Sequence, residues 1–197
     1  MKYLKEFRER FAKREVFTSR DVKMYLGEMG ASDEYVNLLL HNLVKRGEIK
    51  RIKKGAYTFS DEITCVGFAY SPFYYGLQDA LSVHNLWEQE ANPIVITPRR
   101  VRQGMRSFEG RNYLVRRIER KMFFGFGQKK CSGRVLPVSD MEKTLIDFFY
   151  FRERLSGEVV KEMKGKVKRK VLEEYLKRCP KRIAGIVKNA LRHKAVE

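Results

Sequence analysis

A chain of 197 residues that is 43% hydrophobic and 12% aromatic holds enough apolar material for an ordinary core, in one large domain or two small ones. That composition excludes a disordered, collagen-like or disulfide-framed protein, and no apolar run approaches the length of a membrane span. The formal charge of +18 points to anionic partners, nucleic acid foremost.

Apolar residues at helical spacing predict a first helix over about residues 2–13, with Leu4, Phe7 and Phe11 on one face. Thr18 or Ser19 caps a second helix that carries Asp21 in its first turn and runs through Val22, Tyr25 and Leu26 to Met29. Gly27 to Gly30 breaks it. Ser32 then supplies a new N-cap, and Asp33 and Glu34 an acidic first turn, for a third helix ending at Gly47. Val36, Leu39, Leu40, Leu43 and Val44 form its buried stripe. Beyond Gly47 the pattern becomes strand-like at Ile49–Ile52 and Ala56–Phe59, around a cationic Lys53-Lys54-Gly55 turn. Three helices followed by a cationic hairpin describe a winged helix-turn-helix, whose third helix is shaped to enter a DNA major groove.

A polar pair, Ser60-Asp61, sets the expected boundary. After it, Ile63–Phe68 reads as a strand and Phe73–Trp87 as a helix with Leu77, Ala80, Leu81 and either His84 or Trp87 inward. Strands are expected at Ile94–Thr97, Tyr113–Ile118, Lys121–Phe124 and Val135–Leu136. Ser139 to Glu142 has capping-box spacing before an apolar helix through Leu145, Ile146, Phe148 and Phe149 to Phe151. Two basic amphipathic helices follow, built around Val171–Leu176 and Ile183–Leu191 and separated by Pro180. The fold class is therefore α+β: a winged helix-turn-helix at 1–60, then a mixed α/β domain at 61–197 with a basic helical C-terminal tail.

Cationic charge is concentrated. Residues 99–134 hold 12 Lys and Arg against 2 acidic side chains, and residues 161–194 hold 13 against 3. Such segregation predicts separate surfaces that track phosphates. Within the first domain, Thr18, Ser19 and Arg20 are placed to meet a phosphate at the start of helix two, with Ser32 playing the same part at helix three. The face of helix three opposite its stripe carries Glu34, Leu38, His41 and Lys45, flanked by Tyr35, Asn37 and Asn42. Asn pairs with adenine edges, and His or Lys meets guanine or phosphate. Lys50, Arg51, Lys53 and Lys54 are the wing's candidates for phosphate or minor-groove contact. Charge alone does not separate duplex DNA from RNA.

No phosphate-binding loop, zinc-protease or serine-hydrolase motif is present, and His41, His84 and His193 are scattered. Three distant cysteines read as reduced thiols of a cytoplasmic protein, and no signal peptide or anchor is read at the start. We expect no catalytic residue, no metal and no cofactor. The one rival enzyme pattern is Glu119-Arg120-Lys121, the E-x-K of restriction-type nucleases, which would need Glu109 or Asp79 to complete a metal site. A toxin-binding interaction module is the other alternative.

Four stretches then carry a resemblance: Lys54–Phe59; Pro72–Leu86 with its Y-x-G-x-x-x-A-L-x-x-H-x-L pattern; Ile94–Thr97; and Val138–Asp147 with its E-K-x-L-x-D pattern. Over about residues 50–150 the sequence resembles the AbiEi-type antitoxins, which are predicted transcriptional regulators of viral-defence systems. The resemblance implies a DNA-binding autorepressor that neutralises a nucleotidyltransferase-like toxin encoded beside it, without necessarily holding that toxin. It carries Lys53, Lys54 and Tyr57 over as wing residues, the two motif helices as fold, and no catalytic residue. Oligomeric state is not legible.

Overall fold

The computed structural model describes residues 2–87, 92–131 and 133–192. Contacts divide the chain into two units: residues 1–71 with 106–113, and residues 72–105 with 114–197. The first unit thus extends past Ser60.

The first unit begins with α1 (Leu4–Phe11), β1 (Phe17–Thr18), α2 (Ser19–Gly27) and α3 (Asp33–Lys45), then β2 (Lys50–Lys53) and β3 (Ala56–Thr58). Each helix has a physical start and stop. Thr18 and Asp21 form a reciprocal capping box on α2: the Asp21 amide donates to the Thr18 hydroxyl at 3.1 Å, and the Thr18 amide to the Asp21 carboxylate at 2.8 Å. Ser32 caps α3 by accepting from the Tyr35 amide at 3.2 Å. At the other end Gly47 takes φ 70°, its amide donates to Val44 and that of Glu48 to Leu43, a Schellman termination that needs a residue tolerant of positive φ.

Phe7, Phe11, Phe17, Val22, Leu26, Val36, Leu39, Leu40, Leu43 and Ile49 make the core, so the stripe expected on α3 is buried at all but its half-buried last member, Val44. Phe17 is its aromatic hub, with ring centroids 5.5 Å from Phe7, 5.2 Å from Phe11 and 5.7 Å from Phe59. Truncating it to alanine would cost about 3–5 kcal/mol. β1, which the sequence did not announce, pairs antiparallel with β3 (Phe17↔Tyr57), making a three-stranded sheet in the order β1-β3-β2.

Ile63–Phe68, expected as a strand, lies in a 3₁₀ helix over Ile63–Tyr70. Its run is apolar on nearly every residue, a pattern whose periodicity cannot separate strand from helix.

The second sheet has the order β6-β7-β5-β4-β9-β8, from β4 (Tyr74–Tyr75), β5 (Ile94–Thr97), β6 (Gly104–Phe108), β7 (Arg111–Arg117), β8 (Phe126–Cys131) and β9 (Arg134–Ser139). The helix expected over Phe73–Trp87 is cut to α4 (Gln78–Val83). Tyr74 and Tyr75 join the sheet instead, opposite Ile96 and Val95 on one side, with Tyr75 facing Val138 on the other. Gly76 is needed there, since a Cβ would sit 2.5 Å from Ile96 Cδ1. Leu77, Ala80 and Leu81 are buried as expected, while His84 and Trp87 are half-buried. Lys121–Phe124, also expected as a strand, opens with a 3₁₀ turn over Arg120–Met122.

Four helices complete the unit: α5 (Met141–Phe151), α6 (Gly157–Lys166), α7 (Arg169–Arg178) and α8 (Lys181–Arg192). α5 is buried from Met141 through Phe148, charged residues included. Asp140, not Ser139, is its N-cap, accepting from the Lys143 amide at 2.7 Å. Ser139 shares a 2.7 Å hydrogen bond with Thr144. The three cysteines form no disulfide, with Cys65 and Cys179 buried and Cys131 half-buried. Among the described residues no helix is long and apolar enough to cross a membrane. His193 lies outside the described residues.

Candidate nucleic-acid interface

Burial of the Val36–Leu43 stripe leaves Glu34, Asn37, Leu38, His41 and Lys45 exposed on the other side of α3. Helical geometry puts positions 34, 37, 38, 41 and 45 on one strip along the axis. The strip begins acidic: hydrogen bonds from its own backbone and from Ser32 hold the Glu34 carboxyl below the usual range, so it stays anionic. Further along come an amide, an imidazole and an ammonium, with Leu38 59% exposed among them. These are the groups that read base edges and thymine methyls. Asn42 is half-buried at the margin.

Three contacts fix this helix within its unit. Lys23 on α2 pairs with Asp33 in the first turn of α3 at 2.8 Å. At the far end, Arg8 grips Glu48 with both nitrogens at 2.5 and 2.9 Å. That guanidinium draws the Glu48 carboxyl below its ordinary value. The third contact involves Tyr35, which the sequence placed on the reading face. Its hydroxyl accepts from the Tyr3 amide at 3.2 Å, and its ring meets Tyr3 edge-on at 5.5 Å. Tyr35 is therefore half-buried against the start of α1 and acts in packing.

The hydroxyls of the two caps are engaged within the unit. The Thr18 hydroxyl donates to Asp21 at 2.7 Å and accepts from the Asp21 amide, and the Ser32 oxygen accepts from Tyr35, so both hydroxyls are occupied in capping. Ser19 is half-buried against the β2–β3 turn, its amide donating to the Gly55 carbonyl at 3.1 Å. Gly55 takes φ 76°, and a Cβ there would press on Ser19 Oγ at 3.3 Å. Arg20, one residue on, is exposed.

The four cations of the β2–β3 hairpin divide into two pairs. Lys50 is ion-paired with Asp61, and the Lys53 ammonium lies 4.3 Å from the centroid of the Tyr70 ring. Both are half-buried and engaged by groups of their own unit. Arg51 and Lys54 are exposed. The strand pairing explains the division: residues alternate across a strand, and the register of β2 against β3 shifts between Arg51 and Lys53.

Sequence reasoning missed two features of this unit. Arg46, the C-cap of α3, is exposed beside Lys45 at the helix end where a cation is favoured. Residues 106–113 also belong here: the Arg106 guanidinium lies 5.9 Å from the Tyr70 ring, and the Tyr113 and Tyr70 hydroxyls share a 3.1 Å hydrogen bond. Burial and that bond push the Tyr113 hydroxyl well above its ordinary value. No local signal ties residues 106–113 to residue 70.

The nuclease alternative gains no partner. Glu119 is exposed and paired with Lys121 at 2.9 Å, and among the described residues no three His, Cys, Asp or Glu side chains gather to hold a metal ion.

The E-K-x-L-x-D and Y-x-G motifs meet in the second unit. Lys143 and Asp147 are ion-paired with neither side chain exposed, and the Tyr74 hydroxyl donates to Asp147 at 2.8 Å. Burial raises the Asp147 carboxyl, and the Lys143 charge with the Tyr74 bond works against that rise. Glu142 accepts from the Lys168 amide at 2.6 Å, Tyr175 donates to Asp140 at 2.7 Å, and the His84 ring bonds the Ser139 carbonyl at 2.8 Å. These groups are satisfied by one another and tie the helices to the sheet.

No curated protein matches the chain. A family match does exist, and it falls at 7–60, so of the stretches that carry the resemblance only Lys54–Phe59 lies inside it. Residues 7–60, which hold the end of α1, all of α2 and α3 and the β2–β3 hairpin, match the family described as "Transcriptional regulator, AbiEi antitoxin", and the resemblance of this chain to those antitoxin regulators is shown over that segment.

Proposed function

We propose that the chain is a sequence-specific, duplex-DNA-binding regulator acting as the autorepressing antitoxin of a toxin–antitoxin operon, with residues 1–71 serving as a winged helix-turn-helix. The observation that carries this reading is the exposed Asn37–Leu38–His41–Lys45 strip on α3, followed in the chain by a hairpin that presents Arg51 and Lys54, all within the segment that matches a regulator family. In this reading α3 enters a major groove, Asn37 and His41 contact base edges, and Arg20, Lys45, Arg51 and Lys54 hold phosphates on either side. Lys129 and Lys130 of β8 and the cations at 161–194 add affinity that is indifferent to sequence. Repression follows from occupancy. The functional partner is a toxin of nucleotidyltransferase type, neutralised through the second unit.

The test is binding of the full chain to the DNA upstream of its own gene, read by fluorescence anisotropy with unlabelled competitors. Asn37→Ala and His41→Ala should each cost about 1–3 kcal/mol on the preferred site and little on unrelated duplex. Retention of full site preference by both variants refutes the assignment of α3.

A further inference from the structure

In the second sheet β5 and β7 lie side by side and run parallel, in register from Ile94↔Leu114 to Thr97↔Arg117. Their carboxyl ends therefore leave the sheet at the same place. There β5 delivers Arg99 and Arg100, and β7 delivers Arg117, Arg120 and Lys121, around one open cleft of about 750 Å³. All five cations are exposed, and Pro98 and Ile118 supply the apolar part of the lining.

The frame beneath is held in place. The Ile118 amide donates to the Thr97 carbonyl at 3.0 Å, the Arg99 amide to the Thr97 hydroxyl at 3.2 Å, and that hydroxyl to the Pro72 carbonyl at 2.8 Å. The Arg117 amide donates to the Gln103 side chain at 3.0 Å. The single carboxylate in the lining, Glu119, is bound to Lys121.

We infer that this cleft binds the polyphosphate of a small ligand, such as a nucleoside di- or triphosphate. In parallel α/β sheets ligands sit in the crevice beyond the strands' carboxyl ends, and β5 and β7 form one such parallel pair within this mixed sheet. Its volume falls in the range of small-molecule pockets, roughly 300–1,000 Å³. Four of the five cations are arginines, whose planar forks grip phosphate oxygens in pairs. A duplex strings its phosphates along a ridge, whereas cations converging on one opening suit phosphates that are themselves clustered. Among the described residues the lining holds no aromatic side chain, so recognition is assigned to the phosphates and not to the base. The Glu119-x-Lys121 spacing that imitates a nuclease thus belongs to an anion site.

The experiment is isothermal titration of the full chain with inorganic tripolyphosphate, ATP, GTP and AMP near physiological salt. One saturable site is expected, with tripolyphosphate, ATP and GTP within a few-fold of one another and AMP at least tenfold weaker. Arg100→Ala/Arg117→Ala should weaken tripolyphosphate binding at least tenfold, as should the charge reversal Arg120→Glu. Lys129→Ala/Lys130→Ala, which removes two exposed cations of β8, should change it less than twofold. Absence of a saturable site overturns the inference, and so does equal weakening by both double variants, which would mean general attraction to a +18 chain. Loss of duplex-DNA binding in Arg100→Ala/Arg117→Ala without tripolyphosphate binding in the parent also overturns it, and assigns the cleft to nucleic acid. Arg51→Ala/Lys54→Ala should keep tripolyphosphate binding, so the operator-binding proposal and this one fail separately.

Discussion

Changing Arg51 and Lys54 together to alanine tests the division of the hairpin cations. These two are exposed, while Lys50 is committed to Asp61 and Lys53 to the Tyr70 ring. Each phosphate contact on duplex DNA contributes about 0.9 to the slope of log affinity against log salt, so losing two should lower that slope by about 1.8. Extrapolated from a 1 M reference, that is a loss of about 60-fold in affinity at 0.1 M salt, and a salt response between 50 and 200 mM about 12-fold shallower. Lys50→Ala/Lys53→Ala should leave the slope within about 0.5 of the parent and act on stability instead, because its side chains hold the hairpin and do not reach outward. The assay is anisotropy on the upstream duplex and on an unrelated one, at five or more salt concentrations. Both duplexes should lose the same increment of slope, since phosphates carry no sequence. An unchanged slope in Arg51→Ala/Lys54→Ala, or an equal drop in Lys50→Ala/Lys53→Ala, refutes the division.

Three other outcomes follow from the second unit. Asp147→Ala leaves the Lys143 ammonium buried without its partner and should cost about 3–5 kcal/mol, a fall of about 10 °C in Tm by calorimetry. The triple change Tyr74→Phe/Lys143→Met/Asp147→Leu should recover most of that loss, and a triple variant as unstable as the single one sinks the account. Gly125→Ala should cost roughly 2–4 kcal/mol in urea unfolding, because Gly125 has φ +71° and a Cβ there would lie 2.8 Å from both Lys143 Cβ and the Tyr175 ring. Burial pushes the Asp79 carboxyl up to about 7, so the folded chain holds that proton through a range in which the unfolded chain, near 3.8, has released it. Its contribution to stability is greatest below pH 4 and is lost as pH rises towards and through 7, with a ceiling of roughly 4 kcal/mol. Asp79→Asn should flatten that decline, and an unchanged pH profile counts against it.

α2 and α3 of the first unit were legible because they carry local signals of their own, whereas α1 has only its apolar face. Capping residues at Thr18 and Ser32, the stripe on α3 and the Gly47 stop act within a few residues of one another, and the structure uses all of them. The β2–β3 hairpin was legible for the same reason. Local signals failed where pairing decides the outcome. Tyr74–Tyr75 looks helical in isolation and becomes a strand because Ile96, Val95 and Val138 offer it partners. β6 and β8, which went unseen, are the two edges of their sheet. Edge strands carry polar and cationic side chains that discourage further pairing, so they lack the apolar alternation that betrays an inner strand. α6 buries only Met163 and shows no stripe to find. On the candidate interface, the sequence identified the outer face of α3 but not the commitments of Tyr35, Lys50 and Lys53. Their partners lie 32, 11 and 17 residues away, beyond the reach of any local rule.

Those commitments bear on how charged motifs are interpreted. Glu142, Lys143 and Asp147 form a run that invites a catalytic reading, since a carboxylate, an amine and a second carboxylate suit acid–base chemistry. In the fold each meets a group of the chain: Glu142 the Lys168 amide, Lys143 the Asp147 carboxylate, and Asp147 the Tyr74 hydroxyl as well. Lys143 and Asp147 are fully buried and Glu142 nearly so, on a helix that packs on every side. A charge in that position is costly unless its partner has defined geometry, so a buried pair of this kind adds little net stability while loss of one member is strongly destabilising. Asp140 is likewise engaged by the fold: its carboxylate caps α5 with one oxygen and accepts from Tyr175 on α7 with the other. The cations at the ends of β5 and β7 have no such enclosure: they are exposed around an open cleft, where a charge meets solvent and solutes and not the groups of its own fold.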